Sequence, residues 1–164
     1  MRRTTFIIVG VLALITAGCA KASEKVAEQV VERAIESESG GDVNVDLGGD
    51  GQATIEYSDE QGEGKITIGG GEIPADFPVP FPDGGTVVQT ATGPEGGVVT
   101  VTYDDRSYDE LVSFYDDWTQ DQGEVSKIET SEDGQRSTSW IGEQFFIAVQ
   151  EADDGITVTA THNG

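Results

Sequence analysis

The side chains that most often do chemistry are scarce here. There is one cysteine, Cys19, one histidine, His162, and two tryptophans, Trp118 and Trp140, against 31 aspartates and glutamates in 164 residues. A Ser-His-Asp arrangement needs a histidine held beside its serine. His162 lies in the last residues of the chain, where ends fray, and there is no G-x-S-x-G turn. Glycoside hydrolysis needs two carboxyl groups facing each other across a cleft. In so acidic a chain, pairs such as Asp104-Asp105 and Asp153-Asp154 arise by chance, and both fall at expected turns. Trp118 and Trp140 could line a sugar site, but tryptophans at such positions more often belong to a core. Asp42, Asn44 and Asp46 have the opening spacing of a calcium loop. The glycine and glutamate that such a loop needs further on are replaced by Leu47 and Ala53. Gly48-Gly49-Asp50-Gly51 begins like a beta-roll repeat, but Ala53 again stands where an aspartate is required. Zinc needs nitrogen or sulfur ligands that the chain lacks. These residues imply no enzyme, no catalytic residue, no cofactor and no metal site.

Cys19 has a different setting. Arg2 and Arg3 give a basic start, Phe6 to Ile15 form an apolar run broken only by Gly10, and Thr16-Ala17-Gly18 precede the cysteine. Basic start, apolar run and small residues before a cut site are the marks of an export signal. The run is too short to cross a hydrocarbon core of about 30 Å, which takes about 20 helical residues. The segment resembles the lipobox of bacterial lipoproteins, with Thr16 where that family prefers Leu, Val or Ile. The resemblance implies cleavage before Cys19 and diacylglycerol on its sulfur. Each buried methylene contributes about 0.8 kcal/mol and stable anchoring takes more than one chain, which diacylglycerol with an added N-acyl chain supplies. Arg2-Arg3 hints at twin-arginine export, but Phe6 comes one residue late for that signal, so ordinary secretion is expected.

Charge limits the partners. Without Arg2 and Arg3 the exported chain has 31 acids against 7 basic residues, a formal charge of −24. Nucleic acid is excluded as a natural partner, because phosphate binding depends on Lys and Arg. A body lying on anionic lipid is disfavoured for the same reason. The acidity accounts for solubility; a saline habitat or a cation-rich wall is the sharper explanation. With Cys19 lipidated no thiol is left for a disulfide, so the fold must rest on burial.

The elements follow from periodicity. Residues 24–38, EKVAEQVVERAIESE, place Val26, Ala27, Val30, Val31, Ala34 and Ile35 on one helical side and Glu24, Glu28, Glu32 and Glu36 opposite. DVNVDL, ATIEY and KITIG alternate every second residue and read as a three-strand meander, with the helix at 24–38 covering its apolar face. Residues 72–85, EIPADFPVPFPDGG, favour an extended left-handed path, with apolar residues between the prolines that must lean on a neighbour. VVQTATG and GVVTVTY read as strands. Ser107-Tyr108-Asp109-Glu110 then forms a capping box that opens a helix to about Gln122, with Tyr108, Leu111, Val112, Phe114, Tyr115 and Trp118 on one side. Strands follow near 124–130, 136–141, 144–151 and 155–161. The Phe145–Val149 run is apolar on both faces and so central. In the last strand, Ile156, Val158 and Ala160 face one way and Thr157, Thr159 and Thr161 the other.

The organisation expected is a signal peptide (1–18), anchor and stalk helix (19–40), small meander (41–71), Pro-rich connector (72–85) and a second domain (86–164). The fold class expected is α+β: an N-terminal helix on a small three-strand meander, then an antiparallel sheet with one packed helix in the order β-β-α-β-β-β-β. Taken together, GGDVNVDLGGDG, KITIGGGEIPADFPVPFP and SYDELVSFYDDW behind a lipobox cysteine resemble a group of uncharacterised actinobacterial-type lipoproteins. The likeness is architectural and implies no activity or cofactor. It implies a lipid-anchored protein on the extracytoplasmic face of a bacterial membrane. The expected role is a non-enzymatic binding or assembly module, with an envelope protein or cations as partner. A carrier or sensor of a small ligand or cations is the alternative.

One further expectation concerns the helix at 107–122. Asp116, Asp117 and Asp121 lie in its closing turns, where carbonyl ends already carry partial negative charge. No Lys or Arg occurs between Arg106 and Lys127, so Asp116→Asn with Asp117→Asn should stabilise the domain in dilute buffer.

The anchor gives the first test. The wild type should partition into detergent with added mass at Cys19, and Cys19→Ala should remain unprocessed. Normal cleavage of the alanine variant, with no lipid on the wild type, would show a plain secretion signal.

Overall fold

A computed structural model describes residues 42–164 except 49, 50, 60, 61, 133, 153 and 154. The expected signal peptide, Cys19 and the helix expected at 24–38 lie outside the described residues. Strands β1 (Asp42–Leu47), β2 (Ala53–Asp59), β3 (Gly62–Ile68), β4 (Thr86–Gly93) and β5 (Gly96–Tyr103) precede helix α1 (Tyr108–Thr119). Strands β6 (Ser126–Glu132), β7 (Gln135–Ile141), β8 (Phe145–Ala152) and β9 (Gly155–Asn163) follow it. All join one sheet in the order β1-β2-β3-β4-β5-β9-β8-β7-β6, each neighbour antiparallel to the next.

This corrects the α+β class. The meander and the later strands form a single nine-stranded sheet, and the one helix of the described residues has 12 residues, so the fold is mainly β. The physical reason lies at the junction. The proline run interrupts the strand pattern in the sequence, because proline cannot continue a central strand. In space that run leaves the sheet, and β4 returns to pair with β3 from Lys65–Thr92 to Ile68–Gln89.

Paired residues in a sheet share a face, and this sorts every strand. On one side Thr67, Thr90, Val99, Ala160, Ile147, Trp140 and Lys127 follow one another across β3 to β6. That side holds the main core: Val99, Val101, Tyr103, Trp140, Ile147, Val149, Ile156, Val158 and Ala160, closed by Tyr108, Leu111 and Tyr115 of α1 and by Val79. The smaller cluster of Val43, Val45 and Ile55, with Tyr57 and Ile66, lies on the opposite side. There the Tyr57 ring lies against Gly64, leaving no room for a side chain at that position.

Helix α1 forms because its start is capped twice. The Ser107 side chain accepts from the Glu110 amide at 3.3 Å, and the Glu110 carboxylate accepts from the Ser107 amide at 2.8 Å. The Ser107 N–H is the main reason the Glu110 carboxyl is held below its ordinary range. The helix ends at Thr119, short of the expected Gln122, where the Thr119 hydroxyl turns back to the Tyr115 carbonyl at 2.7 Å.

Beside α1 the segment 72–85 crosses the same side of the sheet as a strap. Proline offers no amide hydrogen, but its carbonyls still need donors. Tyr115 donates to the Pro80 carbonyl at 3.0 Å, Tyr103 to Pro82 at 2.9 Å, and the Arg106 Nε–H to Asp83 at 3.0 Å. Burial pushes the Tyr103 hydroxyl up to about 12 and raises Tyr115 further, so both keep the proton they donate. Val79, in the middle of the strap, is 1 % exposed and seated in the main core.

Tyr115→Phe and Tyr103→Phe each remove one donor without emptying the core. Each is expected to lower stability by about 1–2 kcal/mol in chemical denaturation. No loss would show that water satisfies the prolyl carbonyls equally well.

Candidate functional site

The residues singled out for chemistry are dispersed by the fold. Cys19 and the Asp153-Asp154 pair lie outside the described residues. His162 stands near the end of β9 with its ring edge-on to Phe77 at 5.1 Å, and is paired in register with Gly97. Trp140 is buried in the main core, and Trp118 packs edge-on against Phe145 at 5.0 Å. Asp104 and Asp105 sit exposed in the turn after β5. Asp42, Asn44 and Asp46 point outward from β1, on the face opposite Val43 and Val45. Among the described residues, no group of three His, Cys, Asp or Glu side chains could hold a metal ion, and no helix is long and apolar enough to cross a membrane.

What the fold does assemble on the helix side is a pair of clamps. Arg136 of β7 forks onto Glu151 of β8, Nε to Oε2 at 2.8 Å and Nη2 to Oε1 at 2.7 Å. Its Nη1 reaches Asp109 in the first turn of α1 at 2.7 Å, and its guanidinium lies 4.2 Å from the Tyr108 ring centre. The Glu151 carboxylate is the main reason Arg136 is held above its usual range, and Arg136 in turn holds Glu151 below its own. At the other end of α1, Asp116 accepts from the Trp140 indole N–H at 3.0 Å and from Lys127 of β6 at 2.8 Å. Partial burial works against the Lys127 charge, but its bonds to Asp116 and Glu129 more than offset that and raise it. Asp116, which looks unpaired in the sequence, is therefore met by a cation of edge strand β6, and Asp109 by one of β7.

The opposite side of the sheet is the feature that single strands do not reveal. Register places Val98, Thr161, Phe146, Ile141 and Ser126 in one cross-strand row. Thr100, Thr159, Ala148, Ser139 and Ile128 form the next row, then Thr102, Thr157, Gln150, Ser137 and Thr130. None of these residues is charged, in a chain with 24 % charged residues. Most are hydroxyl-bearing, and the Thr100 and Thr159 hydroxyls lie 3.4 Å apart across strands. Ile128, Ile141 and Phe146 are 50 %, 43 % and 37 % exposed at one end of this surface. Across the sheet, the helix-side face of β1–β3 is also open to solvent but carries Asp42, Asp46, Glu56, Glu63 and Lys65. The sequence signal for the uncharged face was present in Thr157, Thr159 and Thr161. Extending it to five strands needed the registers.

Comparison with known protein families, characterised proteins and solved structures returns no match to this chain. The uncharged face and the clamped helix therefore have to be interpreted on their own chemistry.

The second clamp reverses the expectation for Asp116 and leaves that for Asp117 standing. Asp116 is a buried tryptophan's acceptor, so Asp116→Ala should lower stability by about 1–2 kcal/mol, discounted for its partial exposure. Asp117 faces solvent beside Gln120, and Asp117→Asn should leave stability unchanged or slightly raised in dilute buffer. Thermal melts at low and high salt separate the two. A neutral Asp116→Ala would show that the Lys127 and Trp140 contacts contribute nothing net.

Proposed function

We propose that this chain is a lipid-anchored lipoprotein of the extracytoplasmic face of a bacterial membrane, of the uncharacterised actinobacterial-type group that its motifs resemble. Its folded body is a non-enzymatic binding or assembly module that meets a protein partner through the uncharged face of β5–β9. The observation that carries this is the difference between two solvent-facing surfaces of one sheet. Solubility alone would place charges on both, as it does on the helix-side face of β1–β3, where Asp42, Glu56 and Glu63 are exposed. A partly exposed surface that keeps strand-forming threonines, carries no charge in its three rows and gathers Ile128, Ile141 and Phe146 has the composition of a contact surface.

The alternative, a carrier or sensor of a small ligand or cations, rests on an open depression of about 500 Å³ lined by Asp42, Asn44, Glu56, Ser58, Glu63 and Lys65. Lys65 already occupies Glu56 there at 3.2 Å, and sites that enclose a ligand bury most of it.

A photo-crosslinking residue placed at Thr159, and in a separate variant at Asn44, tests the reading in the native envelope. Mass spectrometry should recover protein adducts from Thr159 and few from Asn44. Adducts from Asn44 alone, or none from Thr159, would reject the uncharged face as the contact surface.

A further inference from the structure

We propose that the partner on the uncharged face is a second copy of this chain, packed sheet to sheet about a two-fold axis. This rests on the contact-surface reading above and adds the identity of the occupant.

The first argument is electrostatic. A two-fold contact sets the same patch against itself, so any acid in the patch approaches acids of its own copy. In a chain of formal charge −22, a self-contact must be free of charge. A surface selected for a basic partner would show the reverse, with acids concentrated on it, because complementary charge steers and fixes such complexes. The three contact rows have no acid; on this side of β5–β9 the register places Glu132 alone, at the far end of edge strand β6.

The second argument is chemical. A hydroxyl both donates and accepts, so a row of threonines can hydrogen-bond to an identical row, which carboxylates or ammonium groups cannot do. Thr100, Thr102, Thr157, Thr159 and Thr161 supply such rows on adjacent strands. Sheets that pack face to face keep their strands within about 30° of each other, an arrangement open to two copies of one twisted sheet.

The third is size. With strands about 4.8 Å apart and about 3.4 Å per residue, a face five strands wide and six residues long measures about 490 Å². Two copies together cover about 980 Å², the size of a weak, transient contact, below the about 1,200 Å² at which stable specific interfaces begin. Such a dimer is weak in dilute solution. Confining both copies to one membrane raises their effective concentration and favours it.

Net charge supplies the discriminating measurement. Two acidic bodies repel outside the contact, and that repulsion is screened when the Debye length falls from about 30 Å at 0.01 M salt to about 3 Å at 1 M. Sedimentation velocity of the full chain, with detergent micelles in excess over protein, should show a reversible dimer whose association strengthens about tenfold or more with added salt. Thr159→Asp and Thr159→Lys should each weaken association by about tenfold or more, because either buries an unpaired charge in the contact. Circular dichroism melts confirm that the variants fold. Asn44→Lys, on the opposite face, should leave the dimer intact. A monomeric wild type at every salt concentration, or a dimer untouched by both Thr159 variants, overturns self-association. Crosslinks from Thr159 to a different protein, with a monomeric wild type, would retain the contact surface and reject the second copy as its occupant.

Discussion

A single short helix cannot close one side of a nine-stranded sheet, and the rest of the architecture depends on how that shortfall is met. At about 1.5 Å per residue and about 10 Å across, α1 covers the width of roughly two strands. The strap closes the rest of the main core, and the helix-side face of β1–β3 is left to solvent. Its prolines hold an extended path without needing a partner strand, and the apolar residues between them face the core. Tyr103 and Tyr115 fix its height above the sheet by donating to its carbonyls. The same two rings fill the space between sheet, helix and strap. One kind of residue thus satisfies a polar backbone and packs an apolar core, which is the usual value of a buried tyrosine.

The few cations are placed with similar consistency. Among the described residues the basic side chains are Lys65, Arg106, Lys127 and Arg136. Lys65 links β3 to β2, Arg106 holds the end of the strap, and Lys127 and Arg136 hold the two ends of α1. Each is partly exposed, so each ion pair is worth little by its Coulomb term alone. Their effect is positional. Arg136 joins β7, β8 and the first turn of the helix through one planar group, a geometry that lysine could not reproduce.

Local structure was legible in the sequence where the cause was local. The capping box at Ser107 and Glu110, the two-residue period of β5 and β9, and the strap's need for a neighbour each follow from a few adjacent residues. The side of the sheet to which a strand's apolar residues point does not. Val43, Val45 and Ile55 alternate as cleanly as Val99 and Val101, yet the two sets lie on opposite faces. That difference is fixed by the β3–β4 and β4–β5 registers, which leave no periodic mark. The α+β reading failed at this point, since it gave the first strands a sheet of their own. Asp116 was misjudged for a related reason. Its partners, Trp140 and Lys127, come from strands beyond the helix. The uncharged face was half visible in TVTAT, and became a surface only when five strands were set side by side.

Threonine explains how such a face can exist on a sheet that meets solvent. A strand needs residues that fit the pleated surface, and β-branched side chains do so best. Valine or isoleucine throughout would leave an extended apolar sheet surface, a liability for indiscriminate association. Charged residues would remove that liability together with any self-complementarity. Threonine keeps the branched shape, hydrates its hydroxyl when alone, and exchanges water for another hydroxyl on contact. At the margin the pattern changes: β6, exposed along its length, carries Lys127, Glu129 and Glu132, and charges at a sheet edge oppose the addition of further strands. The edge is thus guarded while the three rows of the face are left neutral. A chain shaped only to stay dissolved would have no reason to treat the two differently.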